Sequence, residues 1–150
     1  MRIGGWLILI TLGLIITPLR IGASLFATFI PIFTGETWKT LTTPGQEAYH
    51  PLWGPLIIFE LVGNASFCIW AIYLLWPYFK RKRAFPRLFI IFCLANLGFV
   101  LVDLFVAGRI PAAAALDPET MREVIKTAIA CFIWIPYFIM SKRVAATFVL

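Results

Sequence analysis

The chain has 150 residues, 61% of them hydrophobic and 13% charged, with a formal net charge of +6. Soluble domains run at about 45–50% apolar and about 25% charged, so a soluble fold of this size could not hide the apolar surface, whereas a bilayer can. The cations stand mostly between or just after apolar runs. That placement is an orientation signal and argues against a nucleic-acid-binding protein.

A spanning helix needs about 20 mostly apolar residues, and four segments qualify. The first covers about residues 3–33. As one straight helix it would be roughly 46 Å long, which predicts a tilt, a kink or a projecting end. Pro18 is the expected kink point, because it removes a backbone donor, and Pro31 weakens the far end. A cleaved leader cut near Ile21-Gly22-Ala23 is disfavoured, since Arg20 would fall at the cut and Leu25 to Phe33 stays apolar. The second span covers about 55–79, with Pro55 at its first helical position and Lys80-Arg81-Lys82-Arg83 at its end. The third covers about 86–110, between Pro86 and Pro111. The fourth covers about 118–140, and Asp117-Pro118-Glu119 supplies a cap, a first-turn proline and a carboxylate favoured by the helix dipole. Pro136 predicts a kink in this last span.

The connections are a loop over 34–54, a basic turn over 80–85 and an alanine-rich turn over 111–117. A short interfacial helix is expected over 36–41. The chain thus reads as a single domain, 1–150: an all-α integral membrane protein, a four-transmembrane-helix bundle with a structured outer loop between the first two spans. Eight Lys and Arg residues flank one side (Arg2, Lys80, Arg81, Lys82, Arg83, Arg87, Lys142, Arg143) and three the other (Lys39, Arg109, Arg122). The basic side is expected to be cytoplasmic, which predicts both termini inside. Trp6, Trp76, Tyr78 and Tyr137 then fall near the inner interface, and Trp38 and Trp53 near the outer one.

Four ionisable residues lie within the spans, Arg20, Glu60, Asp103 and Lys126. Each charge at mid-bilayer costs about 2.5–3.5 kcal/mol even on lenient scales. Helical steps of three and four put Gly13, Thr17, Arg20, Ser24 and Thr28 on one face of the first span, and Glu60, Gly63, Asn64 and Ala71 on one face of the second. Asn96 and Asp103 share a face of the third, and Glu119, Glu123, Lys126 and Ala130 a face of the fourth. These polar, small-residue stripes should face one another. Glu60, Asp103 and Lys126 come out at one depth, roughly 8–12 Å below the outer helix ends, with Arg20 deeper. Arg20, Glu60, Asn64, Asn96, Asp103 and Lys126 are therefore a candidate site. It reads either as a pocket that binds or moves a small solute or protons, or as ion pairs that clasp the helices. Asn64 and Asn96 are expected to bond across helices, and Lys126 by itself to snorkel outward.

Other chemistry finds little support. Cys68, Cys93 and Cys131 lie inside apolar runs without C-x-x-C spacing, so neither a disulfide framework nor zinc is expected. His50, the one histidine, stands in the outer loop with Trp38, Tyr49 and Trp53, and no metal site is expected there. No hydrolase, metalloprotease or nucleotide-binding motif is present. The expectation is a non-enzymatic protein without cofactor, whose partners are the lipid bilayer and a membrane protein or second copy, not nucleic acid.

Several motifs together resemble a bacterial inner-membrane family, domain of unknown function 2569. They are Gly5-Trp6-Leu7-Ile8 with Pro18-Leu19-Arg20, Thr37-Trp38, Thr43-Pro44-Gly45, Tyr49-His50-Pro51-Leu52-Trp53, Phe59-Glu60 with Asn64, Asp103-Leu104, and Trp134-Ile135-Pro136-Tyr137 before Ser141-Lys142-Arg143-Val144. The resemblance covers nearly the whole chain. It implies a small multi-pass protein of the bacterial cytoplasmic membrane and supplies no catalytic residue. The alternative to a solute or proton site is a structural or accessory subunit whose outer loop engages a partner.

Overall fold

A computed structural model describes residues 5–111, 113 and 118–150. Among these the chain forms six helices and no strand: α1 (Trp6–Thr34), α2 (Thr37–Thr42), α3 (Trp53–Phe79), α4 (Phe85–Ala107), α5 (Pro118–Met140) and α6 (Lys142–Thr147). Four of them, α1, α3, α4 and α5, are long and apolar enough to cross a membrane. Arg2, Ile3 and the expected cap Asp117 lie outside the described residues.

The spans follow the apolar runs, with three differences at their ends. α1 continues through Pro18 and Pro31 without interruption and closes where the Gly35 amide donates to the Pro31 carbonyl at 3.0 Å. α3 begins at Trp53, so Pro55 is its third residue, and the Leu56 amide completes the first turn on the Leu52 carbonyl at 2.9 Å. α4 stops at Ala107, short of the expected Ile110. Arg109 and Ile110 donate back three residues, to Val106 and Ala107, both at 3.0 Å. This tighter winding ends the α-helix and turns Ile110 into a fully buried position. The short helix expected over 36–41 is observed as α2, which packs on α1 and α3.

α6 was not expected. Ser141 caps it, its hydroxyl accepting from the Val144 amide at 3.4 Å, and Val144, Thr147 and Phe148 turn inward. The chain end then pairs with the basic turn: Arg83 donates to the Leu150 carbonyl at 2.7 Å and Leu150 to the Arg81 carbonyl at 3.2 Å. Arg81 adopts a left-handed φ of 52° to make this turn, and Lys82 Nζ lies 3.5 Å from the Trp76 ring centroid.

The buried core sits at this basic end. Leu7, Ile10 and Leu14 of α1 meet Leu74 and Tyr78 of α3, Phe85 of α4, Phe138 of α5, and Val144 and Phe148. Tyr78, expected at the membrane interface, is instead fully buried. Its hydroxyl donates to the Leu7 carbonyl at 2.9 Å and meets the Thr11 hydroxyl. A phenol is amphipathic, and here its polar tip finds a partner inside the protein rather than at the headgroups.

In order of packing the helices run α1, α3, α4, α5. Close approach of α3 and α4 requires Gly63, where an added Cβ would lie 2.0 Å from Phe99; Phe99 is itself stacked on Phe59 at 4.7 Å. α1 and α5, at the two ends of this series, meet through rings at the basic end, where Trp6 lies 6.2 Å from Trp134 and 6.3 Å from Tyr137.

Phe148, 4% exposed, stacks on Phe85 at 4.9 Å. Phe148→Ala is expected to lower stability in detergent by about 3 kcal/mol. Phe132→Ala, at a ring 86% exposed, should leave it unchanged, and thermal unfolding of both variants in one detergent makes the comparison.

Candidate functional site

Away from the basic end, the series of four helices opens into two adjoining cavities. The larger, about 510 Å³, lies between α1 and α5 and is backed by α4. Its walls carry the stripes that helical spacing picks out: Gly13, Thr17 and Arg20 from α1, and Glu119, Glu123, Lys126 and Ala130 from α5. α4 contributes Asn96, and α3 contributes Ala71. The smaller cavity, about 260 Å³, is bordered by Arg20, Ser24 and Thr28 of α1, Glu60 and Asn64 of α3, and Glu123 of α5. Arg20 and Glu123 border both, so the two spaces share a polar boundary.

Of the six residues singled out from the sequence, five (Arg20, Glu60, Asn64, Asn96 and Lys126) line one or other cavity. Asp103 lines neither. It lies on α4, which packs on the α3 that carries Glu60 and on α5, close enough to Glu60 for the two charges to interact. One of its oxygens, Oδ1, is buried without a hydrogen-bond partner. Each of the four spans thus brings at least one ionisable residue to this region: Arg20, Glu60, Asp103, and on α5 Glu123 with Lys126.

The contacts differ from a clasp. Among the described residues one ion pair lies within 4.0 Å, between Lys39 and Glu36 in the loop after α1. Neither Arg20 nor Lys126 has a carboxylate at that distance among those residues. Both side chains are exposed, bordering the cavities rather than closing on an acid. Asn64 also departs from expectation. Its amide donates to the Glu60 carbonyl one turn earlier in the same helix, at 2.8 Å, because that carbonyl lies four residues back on the same face.

Several cavity residues were not among the six. Arg122 and Thr127 join the α5 wall, and Phe89, Phe92 and Trp134 form an aromatic floor. Cys93 and Cys131 also line it, the Cys131 thiol donating to the Cys93 carbonyl at 3.3 Å. Glu123 was legible as one step of three from Lys126; the aromatic floor was not, because phenylalanine and tryptophan are equally at home facing lipid.

The loop residues form a separate unit. His50 Nδ1 accepts from the Leu52 amide at 3.2 Å, which makes the imidazole a cap on its own turn. Trp38 packs on Phe33 at 5.1 Å between centroids. Tyr49 closes a turn on Gln46 at 3.1 Å, and the indole nitrogen of Trp53 is buried without a partner. None of the four borders either cavity.

Four helices long and apolar enough to cross a membrane define a multi-pass helical membrane protein. The chain belongs to the family described as protein of unknown function (DUF2569), whose model matches residues 1–149. It is 30% identical to the inner membrane protein YdgK of Escherichia coli strain K12, over 99% of this chain and 94% of that protein. No solved structure matches it.

Because its side chain bonds within α3, Asn64→Ala is expected to lower stability by about 0.6 kcal/mol, the average for a polar contact between membrane helices, or less. It should leave α3 docked. Unfolding in mixed micelles measures the first, and protease resistance of the folded protein the second.

Proposed function

We propose that this is an inner-membrane protein that binds or moves a small solute or protons through the polar region shared by α1, α3, α4 and α5, without catalysing a reaction. The observation that carries this reading is that Arg20 and Glu123 border both cavities, which links the Glu60–Asp103 pair to the larger space. A carboxylate can only accept hydrogen bonds until it takes up a proton, after which it can also donate. A carboxyl pair beside an open polar space is therefore a natural place to take up and release one. The alternative, in which the charges only clasp helices, has less support, since neither cation is held within 4.0 Å of a carboxylate among the described residues.

The proposal includes an orientation. Lysine and arginine number eight beside the basic end and three beside the other, which favours cytoplasmic termini and a periplasmic 35–52 loop. The YdgK relative, an inner membrane protein, supports the compartment.

Two experiments test these statements. In proteoliposomes loaded with a pH-sensitive dye, the wild-type chain should pass protons under an imposed gradient, and Glu60→Gln and Asp103→Asn should each abolish the flux while eluting as folded particles. Loss of folding in both variants, or wild-type vesicles as tight as empty ones with no small solute admitted either, would overturn the reading. For orientation, a fluorescent protein fused after Leu150 should mature, and alkaline phosphatase inserted at Gly45 should be active; the reverse pattern refutes cytoplasmic termini.

A further inference from the structure

The larger cavity has two chemically distinct zones. Toward the α5 N-terminus its wall is charged, with Arg20, Arg122 and Lys126 against Glu119 and Glu123. Toward the basic end it is apolar, with Leu9, Ile10, Leu14, Phe89, Phe92 and Trp134. Neither a bare ion nor a pure hydrocarbon matches both.

The charged zone favours an anion. Its wall carries three cations, Arg20, Arg122 and Lys126, against two carboxylates, and one of those, Glu123, also borders the smaller cavity beside Glu60. The cations outnumber the carboxylates on this wall, and Arg20 and Lys126 have no carboxylate within 4.0 Å among the described residues. Cations at membrane depth are costly unless something answers their charge, and an anionic group between these two would do so.

The apolar zone sets the rest of the ligand. From Lys126 to Trp134 is eight residues along α5 and from Arg20 to Leu9 eleven along α1, which is roughly 12–16 Å of trough. One leaflet, half of a hydrocarbon core about 30 Å thick, is the length of a single acyl chain. The cavity volume of about 510 Å³ also falls within the roughly 300–1,000 Å³ of small-molecule sites.

We propose that the chamber between α1 and α5 binds a single-chain amphiphile with an anionic head, the head between Arg20 and Lys126 and the chain along Leu14, Phe89, Phe92 and Trp134. This rests on the reading of the polar region as a ligand site and names the ligand class for it.

The test uses the full chain in phosphatidylcholine nanodiscs with palmitate carrying a photoreactive diazirine midway along its chain, and adducts are mapped by mass spectrometry. Adducts are expected at Phe89, Phe92 or Trp134, and excess unlabelled palmitate should suppress them at least about tenfold, the effect of 1.4 kcal/mol in affinity. Adducts at Phe132 and Ile139, 86% and 70% exposed, report bulk lipid and should not be suppressed. Hexadecanol, which has the chain without the charge, and inorganic phosphate, which has the charge without the chain, should compete poorly. Arg20→Gln and Lys126→Gln should each lower suppressible labelling about tenfold, with Arg20→Lys restoring it.

Labelling at Trp134 that is no more suppressible than at Phe132 overturns the proposal. Equal competition by hexadecanol makes the site a chain groove, and displacement by phosphate makes it a free-anion site; either result also overturns it. If Arg20→Gln fails to fold, the wild-type map and Lys126→Gln decide alone. Proton or solute flux that depends on Glu60 would survive any of these failures, so the two readings fail separately.

Discussion

Tyr78 donates a hydrogen bond to the Leu7 carbonyl at 2.9 Å, and lipid cannot replace that contact. Tyr78 is fully buried within the protein, so its hydroxyl must find its hydrogen-bonding partner there. Thr11 completes the group, donating to the same carbonyl at 2.9 Å while its hydroxyl meets that of Tyr78. Around this node the rings of Phe85, Phe138 and Phe148 close the core, and Trp6 brings α1 against Trp134 and Tyr137 of α5. The first and last spans are thereby held together at the basic end, and the polar cavities lie beyond that closure.

The closure explains how the chain carries so many ionisable groups in its spans. Between membrane helices there is no gain from removing apolar surface from water, because lipid is as apolar as the neighbouring helix. Packing and specific bonds hold the bundle, and here they concentrate at the basic end. α1 and α5 are then free to stand apart along their charged stretch, where Arg20, Glu123 and Lys126 border open space instead of tight pairs. Had the helices closed along their full length, each charge would have needed a partner at short range. The cavity shows a different arrangement, with Arg20 and Lys126 and the carboxylates Glu119 and Glu123 all bordering open space.

Much of this was legible in the residues because membrane insertion imposes strict length and periodicity. Twenty apolar residues must be nearly continuous, so α5 ends at Met140 where the apolar run does, and the ends of α1 and α3 lie within a few residues of theirs. The step of three and four placed Gly13, Thr17 and Arg20 on one wall and Glu119, Glu123 and Lys126 on another. What failed depended on partners distant in sequence. Tyr78 looks like an interfacial residue until α1 supplies the Leu7 carbonyl. The helix after Ser141 has no signal in the sequence, since only folding brings Val144 and Phe148 against Phe85 and Tyr78. The end of α4 turned on three-residue winding after Ala107, which composition does not encode.

The basic turn shows how an orientation signal and a structural element can be the same residues. Lys80 to Arg83 would stop α3 by charge alone, but Arg81 takes a left-handed backbone and pairs with Leu150, and Arg83 Nε donates to the Val149 carbonyl at 2.8 Å. The last residues of the chain are thus tied to the turn between α3 and α4, and they carry Phe148 into the core. Because the same end holds α1 to α5, the C-terminal segment contributes to the closure beyond which the polar region opens. A helix of six residues is in this way coupled, through packing, to the geometry of the cavities at the other end.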